Sequence, residues 1–429
     1  MAELEQQLFA SGLPVEALME KAALAVARRL QQPDWWPLLQ AMGALVLVGP
    51  GHNGGDGLVV ARELQLAGIS VRIWSPFERH KPLTAAHLQH ARWLGIPQLA
   101  APPDPADPAV WIDALFGIGQ SRPPGEPLET LLEQRQQQQP QRLIAIDGPT
   151  GLCADRGEPL GRVAACAGLS LSIGLIKQGF TQDSALRWLG QLERIELNLP
   201  APLLAGLSRQ QPCSLLPRDL ASGPWPQQDP AASKYQRGRL LVIAGSPAYR
   251  GAAQLCLAGA SASGAGSLRA VLPAVLAEQL WSVQPHVVLS GSLAGNSQGG
   301  LQLAGLHAAM LARLDALVLG PGLGPAEPNS REESRAWEQL QQFEGLLVLD
   351  ADGLNRLAAR NASPWLQQRR GATWLTPHPG EFQRLFPELE GLPPLEAAPK
   401  AAAACSGGFA CSVLLKGARS VVAAADGRR

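Results

Sequence analysis

Gly49-Pro-Gly-His-Asn-Gly-Gly-Asp-Gly57 is the stretch that decides the fold of the first half of this 429-residue chain. It follows Ala44-Leu-Val-Leu-Val48, an apolar run typical of a parallel strand that is buried on both faces. It precedes residues 58–67, a helical segment that ends at Gly68. The glycines predict a backbone that passes through positive φ and comes close to a ligand. The N-terminus of the following helix would favour an anionic or dipolar ligand there.

Two further polar loops follow apolar strands in the same half of the chain. Asp113 stands at the end of the strand 109–113 and is followed by the loop Gly117-Ile-Gly-Gln-Ser-Arg-Pro123. Leu143-Ile-Ala-Ile146 is a buried strand that ends in Asp147-Gly-Pro-Thr150. A single Asp after a strand is often only a helix cap or a turn residue. Three such loops in series favour a site, because loops at the carboxyl ends of parallel strands converge.

Length and composition limit the class of protein. A chain of 429 residues is too long for one ordinary core, so we expect two domains. The 36 basic residues balance 36 acidic ones, which gives no reason to expect nucleic acid or an anionic membrane as a partner. Six cysteines without a Cys-x-x-Cys pair, and the lack of a signal peptide or a long apolar run, predict a cytoplasmic protein.

The remaining patterns of the first half are structural. Apolar residues at intervals of four predict a helix over residues 15–30, and residues 70–74 are predicted to form the strand of a βαβ unit. His80, His87 and His90 suggest a metal cluster, but the segment has no carboxylate or cysteine to complete one, which favours surface histidines.

The three loops together resemble the NAD(P)H-hydrate epimerase family. The motifs are Gly-x-Gly-His-Asn-Gly-Gly-Asp-Gly, Asp-Ala-Leu-Phe-Gly-x-Gly and Ala-Ile-Asp-x-Pro-Thr-Gly, with Leu18-Met-Glu-Lys-Ala22 before them and Ile176-Lys-Gln-Gly179 after them. The resemblance covers nearly all of residues 1–200 and implies a Rossmann-like, three-layer domain. This domain would interconvert the 6-hydroxy adducts of NADH and NADPH, called NADHX and NADPHX. His52 departs from the pattern, as do Gly148 and Thr150, although Thr150 keeps a hydroxyl.

The resemblance also implies roles for individual residues. A potassium ion would be held through oxygen atoms by Asn53, Asp113 and Thr150. The substrate would be surrounded by His52, Asn53, Gly54, Gly55, Asp56, Gly117, Ile118, Gly119, Gln120, Ser121, Arg122, Pro123 and Asp147. Asp147 is our candidate for proton transfer, because a carboxylate beside a carbinol carbon bonded to nitrogen can move a proton while the hydroxyl leaves and returns.

Repeated Pro, Gln and Ser predict a linker at residues 206–230, between an epimerase domain at 1–205 and a second domain at 231–429. The second domain contains five apolar runs that each precede a polar or glycine-bearing loop: 239–243, 316–319, 346–349, 373–375 and 412–415. Residues 251–263 are predicted to form a helix of small residues. This ordered set resembles the ADP- or ATP-dependent NAD(P)H-hydrate dehydratases, which have the ribokinase-like fold. The resemblance implies a hydrate site at Ala260, Gly322 and His378, and binding of ADP with Mg²⁺ by Lys416, Gly417, Ala418, Arg419 and Ser420.

The dehydratase resemblance lacks one motif. Gly-Thr-Gly-Asp, whose aspartate would act as base and whose glycines would bind an anion, does not occur before the last residue, Arg429. On this basis the sequence predicts an incomplete dehydratase domain that does not turn over S-NADHX.

The sequence thus predicts a two-domain α/β repair enzyme, expected to form a homo-oligomer. Two alternatives stay open at this point. One is a small-molecule kinase, since ribokinase-like folds also phosphorylate vitamin alcohols; the other is a nucleotide-binding module without catalytic activity.

Overall fold

The computed structural model describes residues 1–215, 217–223, 229–304 and 306–429. These residues form two compact units, Met1–Leu207 and Ser208–Arg429, which we call domain 1 and domain 2. The linker predicted at 206–230 contains Leu216 and residues 224–228, which lie outside the described residues. Within the described ranges, no helix is long and apolar enough to cross a membrane.

Domain 1 is built on a seven-stranded parallel sheet in the order β3-β2-β1-β4-β5-β6-β7. Its strands are β1 Ala44–Val48, β2 Val71–Trp74, β3 Gln98–Leu99, β4 Val110–Ala114, β5 Leu143–Ile146, β6 Leu169–Ile173 and β7 Gln191–Ile195. Its helices are α1 Ala2–Ala10, α2 Val15–Leu30, α3 Trp36–Met42, α4 His52–Leu66, α5 Pro82–Trp93, α6 Leu128–Gln138, α7 Leu186–Leu189 and α8 Ala201–Ala205, with 3₁₀ turns at Gln178–Thr181 and Asp183–Ala185.

Helices cover both faces of this sheet, which confirms the expected three-layer architecture. Strand β1 is buried along its whole length because its side chains alternate between the two faces. Val46 and Val48 pack into the core that includes α2, α4 and α5, while Leu45 and Leu47 pack into the core that includes α6.

The strand order places the glycine-rich loop at a topological switch point. Strands β1 and β4 are neighbours, but the chain leaves them toward opposite edges of the sheet. A crevice forms where the order reverses, and open α/β sheets bind their ligands there.

Helix α4 begins at His52, six residues earlier than the predicted segment, so Asn53 and Asp56 lie in its first turns. None of the five glycines from Gly49 to Gly57 has positive φ, so the predicted conformational role is wrong. These glycines instead provide space: an added Cβ on Gly49 would lie 2.9 Å from Leu115 Cα, and one on Gly54 would lie 3.0 Å from Gly49 N. Close packing of the loop against the β4 loop therefore decides where the helix starts.

Domain 2 contains an eight-stranded sheet in the order β10-β9-β8-β11-β12-β13-β14-β15, parallel except for the last pair. Its strands are β8 Arg239–Ile243, β9 Ser267–Pro273, β10 Val288–Leu293, β11 Ala316–Leu319, β12 Leu346–Leu349, β13 Thr373–Leu375, β14 Cys411–Leu415 and β15 Val421–Ala423. Its described helices are α9 Pro217–Ser222, α10 Arg250–Ala262, α11 Ala274–Ala277, α12 Leu280–Val283, α13 Ala308–Leu311, α14 Arg331–Gln342, α15 Asp352–Ala358, α16 Ala362–Gln367, α17 Pro379–Leu385 and α18 Pro394–Cys405, with a 3₁₀ turn at Pro387–Leu389.

The second sheet also has a switch point, between β8 and β11. There the Gly245 N–H donates to the Pro321 carbonyl at 2.8 Å, which joins the loops that follow the two strands. Gly320 and Gly322 in the second loop both have positive φ, so here glycine supplies the conformation that the sequence suggested for the first domain.

Candidate active site

Domain 1 has a cavity of about 1170 Å³ at the carboxyl end of its sheet. The three polar loops identified in the sequence meet there, so their predicted convergence is confirmed. The cavity is lined by His52, Asn53 and Asp56 of α4, by all residues from Gly117 to Pro123, and by Asp147. Residues of α1 and α2 close the remaining side.

Asp147 follows β5 and lies in the left-handed region with φ 65, which Asp tolerates better than most residues. Its Oδ1 accepts hydrogen bonds from the Ile173 N–H at 3.2 Å and from Lys177 Nζ. Its Oδ2 accepts from the Ile118 N–H at 3.3 Å. The carboxylate is thus fixed from two neighbouring loops while it still faces the cavity.

Lys177 is a site residue to which the sequence assigned no role. Its side chain is almost fully buried, and Nζ also donates to the Ile173 carbonyl at 2.9 Å. The Lys177 ammonium therefore forms a nearly buried ion pair with the Asp147 carboxylate. The lysine lies in the Ile176-Lys-Gln-Gly179 motif, so the sequence signal was present, but its partner 30 residues away was not visible.

Asp113 and Thr150 are fully buried behind the cavity wall. Thr150 Oγ1 donates to Asp113 Oδ1 at 2.7 Å, and the Thr150 N–H donates to Oδ2 at 2.8 Å. Burial raises the pKa of Asp113 to about 6, although the hydrogen bonds from Thr150 and Leu115 act in the opposite direction. The structure therefore brings two of the three predicted cation ligands into direct contact.

Asn53, the third predicted cation ligand, has a buried amide without a partner. Neither its Oδ1 nor its Nδ2 forms a hydrogen bond within the part of the chain that the structure describes. Its side chain lies beside Gly117, since a Cβ added there would be 3.5 Å from Asn53 Cγ. Unpaired buried polar atoms point to an absent water, ion or ligand.

Gly54 and Gly55 were predicted to surround the substrate, but they do not line the cavity. A side chain on Gly54 would point at the Gly49 backbone, and one on Gly55 would come within 2.8 Å of Met19 Sδ. Both glycines face the protein interior because α4 packs there against the β1 loop and against α2. Their absent side chains allow α4 to approach its neighbours.

Gln120 joins two of the site loops. Its Nε2 donates to the Pro149 carbonyl at 3.1 Å, and its Oε1 accepts from the Gly151 N–H at 2.6 Å. The loop after β4 is thereby held to the loop after β5, which carries Asp147 and Thr150. Gln120 thus has a positioning role as well as its predicted place beside the substrate.

The N-terminal helix supplies cavity residues that the sequence patterns did not indicate. Glu5 and Phe9 of α1 both line the cavity. Burial raises the pKa of Glu5, as does the nearby Asp147 carboxylate, while Lys177 and the terminal amine lower it. Burial, then Asp147 and Glu5, raise the pKa of Asp56 well above its ordinary value.

The histidines at positions 80, 87 and 90 form no metal cluster. His80 Nε2 lies 2.9 Å from Ser75 Oγ, while His87 is half-buried with an unpartnered Nε2. Among the described residues, no group of three or more His, Cys, Asp or Glu side chains is arranged to hold a metal ion.

In domain 2 the loops that follow β12, β13 and β14 meet at the carboxyl edge of the sheet. Lys416, after β14, donates from Nζ to Asp350 Oδ1 at 2.5 Å and from its N–H to the Pro377 carbonyl at 2.8 Å. Asp350 follows β12 and Pro377 follows β13. Residues 417–420 form the turn between β14 and β15, where Gly417, Ala418 and Ser420 are exposed.

Of the three predicted hydrate ligands, the structure brings Gly322 to this edge but not Ala260. Gly322 packs against the first turn of α10, since an added Cβ would lie 2.7 Å from Ala252 Cβ. Ala260 is two helical turns further along α10, about 12 Å away by helix geometry, and it packs into the core. Ala252, and not Ala260, is thus the alanine of α10 that lies beside Gly322.

His378 lies at the same edge, where it begins α17. Its Nδ1 accepts from the Gly380 N–H at 3.0 Å and from the Glu381 N–H at 3.4 Å, while the Glu381 carboxylate accepts from the His378 N–H at 2.9 Å. This capping box fixes the ring, which stays exposed.

The fold and these sites define a two-domain α/β enzyme. Domain 1 places a paired carboxylate in a cavity at its switch point, and domain 2 gathers Asp350, His378 and Lys416 at the edge of its sheet. Residues 15–179 match the family described as YjeF-related protein N-terminus, and residues 240–428 match the NAD(P)H-hydrate dehydratase family.

Similar proteins carry both halves. The chain is 41% identical, over all of its length and 79% of the relative's, to the bifunctional NAD(P)H-hydrate repair enzyme of Synechocystis. It is also 41% identical to the enzyme of that name from Gloeobacter violaceus, over 99% of this chain and 81% of the relative. A crystal structure of the Bacillus subtilis ADP/ATP-dependent NAD(P)H-hydrate dehydratase, co-crystallised with ATP and Mg²⁺, is 28% identical over 47% of this chain and 66% of that one, with a TM-score of 0.35.

The chain belongs to the family of bifunctional NAD(P)H-hydrate repair enzymes. The expectation of an epimerase domain followed by a dehydratase domain is confirmed. Because both halves match, the kinase and binding-module alternatives lose their support.

Proposed function

We propose that this chain repairs hydrated nicotinamide dinucleotides in two steps. Domain 1 interconverts the R and S epimers of NADHX and NADPHX. Domain 2 supplies the dehydratase fold for returning the S epimer to NADH or NADPH with ADP, a step for which the resemblance also requires the Gly-Thr-Gly-Asp motif that these 429 residues lack. Family membership supports both activities. We keep the proposed boundaries of 1–205 and 231–429 for the two activities and 206–230 for the linker.

The observation that carries the epimerase proposal is the Asp147–Lys177 pair in the domain 1 cavity. Asp147 is held by Lys177 and by two backbone N–H groups, yet it still lines the cavity. A carboxylate fixed in this way beside the cavity can accept a proton from a bound water.

The chemistry takes place at the carbinol carbon C6, which is bonded to the ring nitrogen. The C6 hydroxyl takes up a proton from an acid group of the cavity and leaves as water, with both electrons of the C6–O bond passing to oxygen. The nitrogen lone pair forms a C=N bond, so that the ring becomes cationic. Water then adds to the other face of C6 and gives up a proton to Asp147. The Asp147 carboxylate, fixed by Lys177 and by two backbone N–H groups, lies beside the cavity where it can stabilise the cationic ring.

A proton NMR time course tests the epimerase proposal. Purified R-NADHX and S-NADHX are followed separately, with and without the protein. We expect both samples to reach the same mixture much faster with the protein. Equal rates with and without it would refute the proposal.

We propose that Asn53, Asp113 and Thr150 hold a potassium ion. The fit rests on the unpartnered Asn53 amide and the buried Asp113 carboxylate. All three residues offer oxygen donors, which suit a hard cation and not zinc or copper. When bound, the ion would orient and polarise substrate oxygens.

For domain 2 we propose that Lys416 and residues 417–420 bind ADP with Mg²⁺, and that Ala252, Gly322 and His378 form the hydrate site. Lys416 supports this role because its ammonium is fixed by Asp350 at the sheet edge where α/β domains bind ligands. Recovery of absorbance at the NADH band, measured with S-NADHX and ADP, tests dehydration.

We also propose a cytoplasmic homo-oligomer that contacts neither nucleic acid nor membrane. All six cysteines are free, which suits a reducing compartment. Large apolar side chains of α10, α11, α12 and β10 are exposed, among them Leu255 at 76% and Trp281 at 74%. Patches of this kind often mark contacts between protein subunits. Size-exclusion chromatography with light scattering measures the oligomeric state.

A further inference from the structure

The domain 1 cavity contains more acid groups than the proposed role of Asp147 uses. Glu5, Asp56 and Asp147 all line it, and they come from α1, from α4 and from the loop after β5. Lys177 is the cation that contacts one of them directly, through Asp147. Three carboxylates near one buried ammonium cannot all stay ionised without a large electrostatic cost.

The epimerisation itself requires two different proton states. A hydroxyl leaves C6 readily only when its oxygen receives a proton, whereas the incoming water must lose one. Asp147 already forms an ion pair with Lys177, so a carboxyl group without such a partner is better placed to donate the first proton. Active sites separate these roles by giving two carboxyl groups different environments.

We propose that Glu5 is a second catalytic residue of domain 1, which donates the proton to the departing C6 hydroxyl. This inference rests on the proposed epimerase function. Glu5 fits because it lines the cavity from a different element than Asp147 and has no cationic side chain within bonding distance among the described residues.

The electrostatic surroundings of Glu5 favour its protonated form. Burial and the Asp147 charge raise its pKa, and these effects outweigh the opposing ones of Lys177 and the terminal amine. Asp56 faces the same group from α4, and the other ionisable side chains that line the cavity are His52, Lys81 and Arg122.

The proton balance is complete within the cavity. The Glu5 carboxyl gives its proton to the hydroxyl oxygen, the C6–O bond breaks and one water leaves. A water adds to the opposite face of C6, and its proton passes to Asp147. Glu5 ends as a carboxylate and Asp147 as an acid, and exchange with solvent restores both.

Glu5→Gln and Glu3→Gln form a matched pair of variants. Both glutamates lie in the first turn of α1, so each substitution removes the same favourable interaction with the helix dipole. Glu3 is exposed and does not line the cavity, so it serves as the control. Glu5→Asp, which keeps the acid on a shorter side chain, tests for partial recovery.

The assay measures the epimerisation rate by NMR between pH 5 and pH 9. We expect Glu5→Gln to lower the rate by about 10²-fold and to remove the fall in rate that accompanies loss of the Glu5 proton as the pH rises. Glu3→Gln should match the wild type, and Glu5→Asp should recover part of the rate.

Two results would overturn the role of Glu5: a Glu5→Gln rate within about threefold of wild type, or an equal loss in Glu3→Gln, which would indicate a structural effect of α1. If Asp147→Asn were inactive while Glu5→Gln kept the wild-type rate, the epimerase proposal would stand and the Glu5 proposal would fall. If the wild type itself were inactive, both would fall.

Discussion

Replacing Gly49 by Ala tests whether the glycines of the first loop act by providing space. An added Cβ would lie 2.9 Å from Leu115 Cα, and it would overlap the Leu115 carbonyl still more strongly. The φ of Gly49 is not positive, so a conformational role predicts little effect. Gly51→Ala is the control in the same loop, because an added Cβ there meets nothing within 4 Å.

The size of the effect follows from this overlap. The loops after β1 and β4 must separate by roughly 1 Å or more, and overpacking of this kind costs about 1–3 kcal/mol. The same movement separates Asn53 on α4 from Ile118 and its partner Asp147. Misplacement of site groups by about 1 Å can lower a catalytic rate by about 10²-fold.

Hydrogen exchange of the β1 amides measures the stability loss locally, which suits a chain of two domains. A loss of about 1–3 kcal/mol corresponds to amide exchange that is about 5- to 150-fold faster, because each 1.4 kcal/mol changes an equilibrium constant tenfold. We expect this acceleration in Gly49→Ala, together with a loss of epimerisation. Gly51→Ala should behave as the wild type. Equal behaviour of the two variants would refute the space-filling argument.

Three further substitutions test the remaining assignments. Thr150→Val removes the hydroxyl that donates to Asp113 at 2.7 Å. We expect urea unfolding to show that the free energy of unfolding falls by about 1–3 kcal/mol, and a KCl titration to show that the epimerisation rate no longer depends on potassium. Thr150→Ser should retain both the stability and the potassium dependence. A potassium-dependent Val variant would contradict the cation site. Lys416→Met should weaken ADP binding, measured by calorimetry, by at least about tenfold. Lys400→Met, on the exposed side of α18, should leave the affinity unchanged. Equal affinities of the two variants would exclude Lys416 from the nucleotide site. Ala252→Leu should block binding of S-NADHX and leave ADP binding intact. Ala260→Leu should only destabilise the core. If Ala260→Leu blocked S-NADHX binding and Ala252→Leu did not, Ala260 would return to the hydrate site.

The strands were predictable because they are buried on both sides and their apolar runs are continuous. The observed bounds of β1, β5, β8, β11, β12 and β13 coincide with the predicted ones. The start of α4 was not predictable, because glycine disfavours a helix by its own propensity. Packing of Gly54 on Gly49 and of Gly57 on Ala114 outweighs that preference.

The site was predictable as a set of loops but not as a set of contacts. Asp147, Asn53 and the 117–123 loop line the cavity as predicted. The pairing of Asp147 with Lys177, and the approach of Glu5 from the first helix, depend on side chains far apart in sequence. The helical pattern of α10 likewise could not show which of its alanines faces Gly322.

We propose that Asp147 in the domain 1 cavity carries the epimerisation of the nicotinamide hydrate. The most direct test starts from pure R-NADHX and follows the S epimer by proton NMR with wild type and with Asp147→Asn. We expect rapid conversion by the wild type and a rate lower by about 10²-fold or more in the folded variant. An Asp147→Asn variant that converts R-NADHX at the wild-type rate would contradict it.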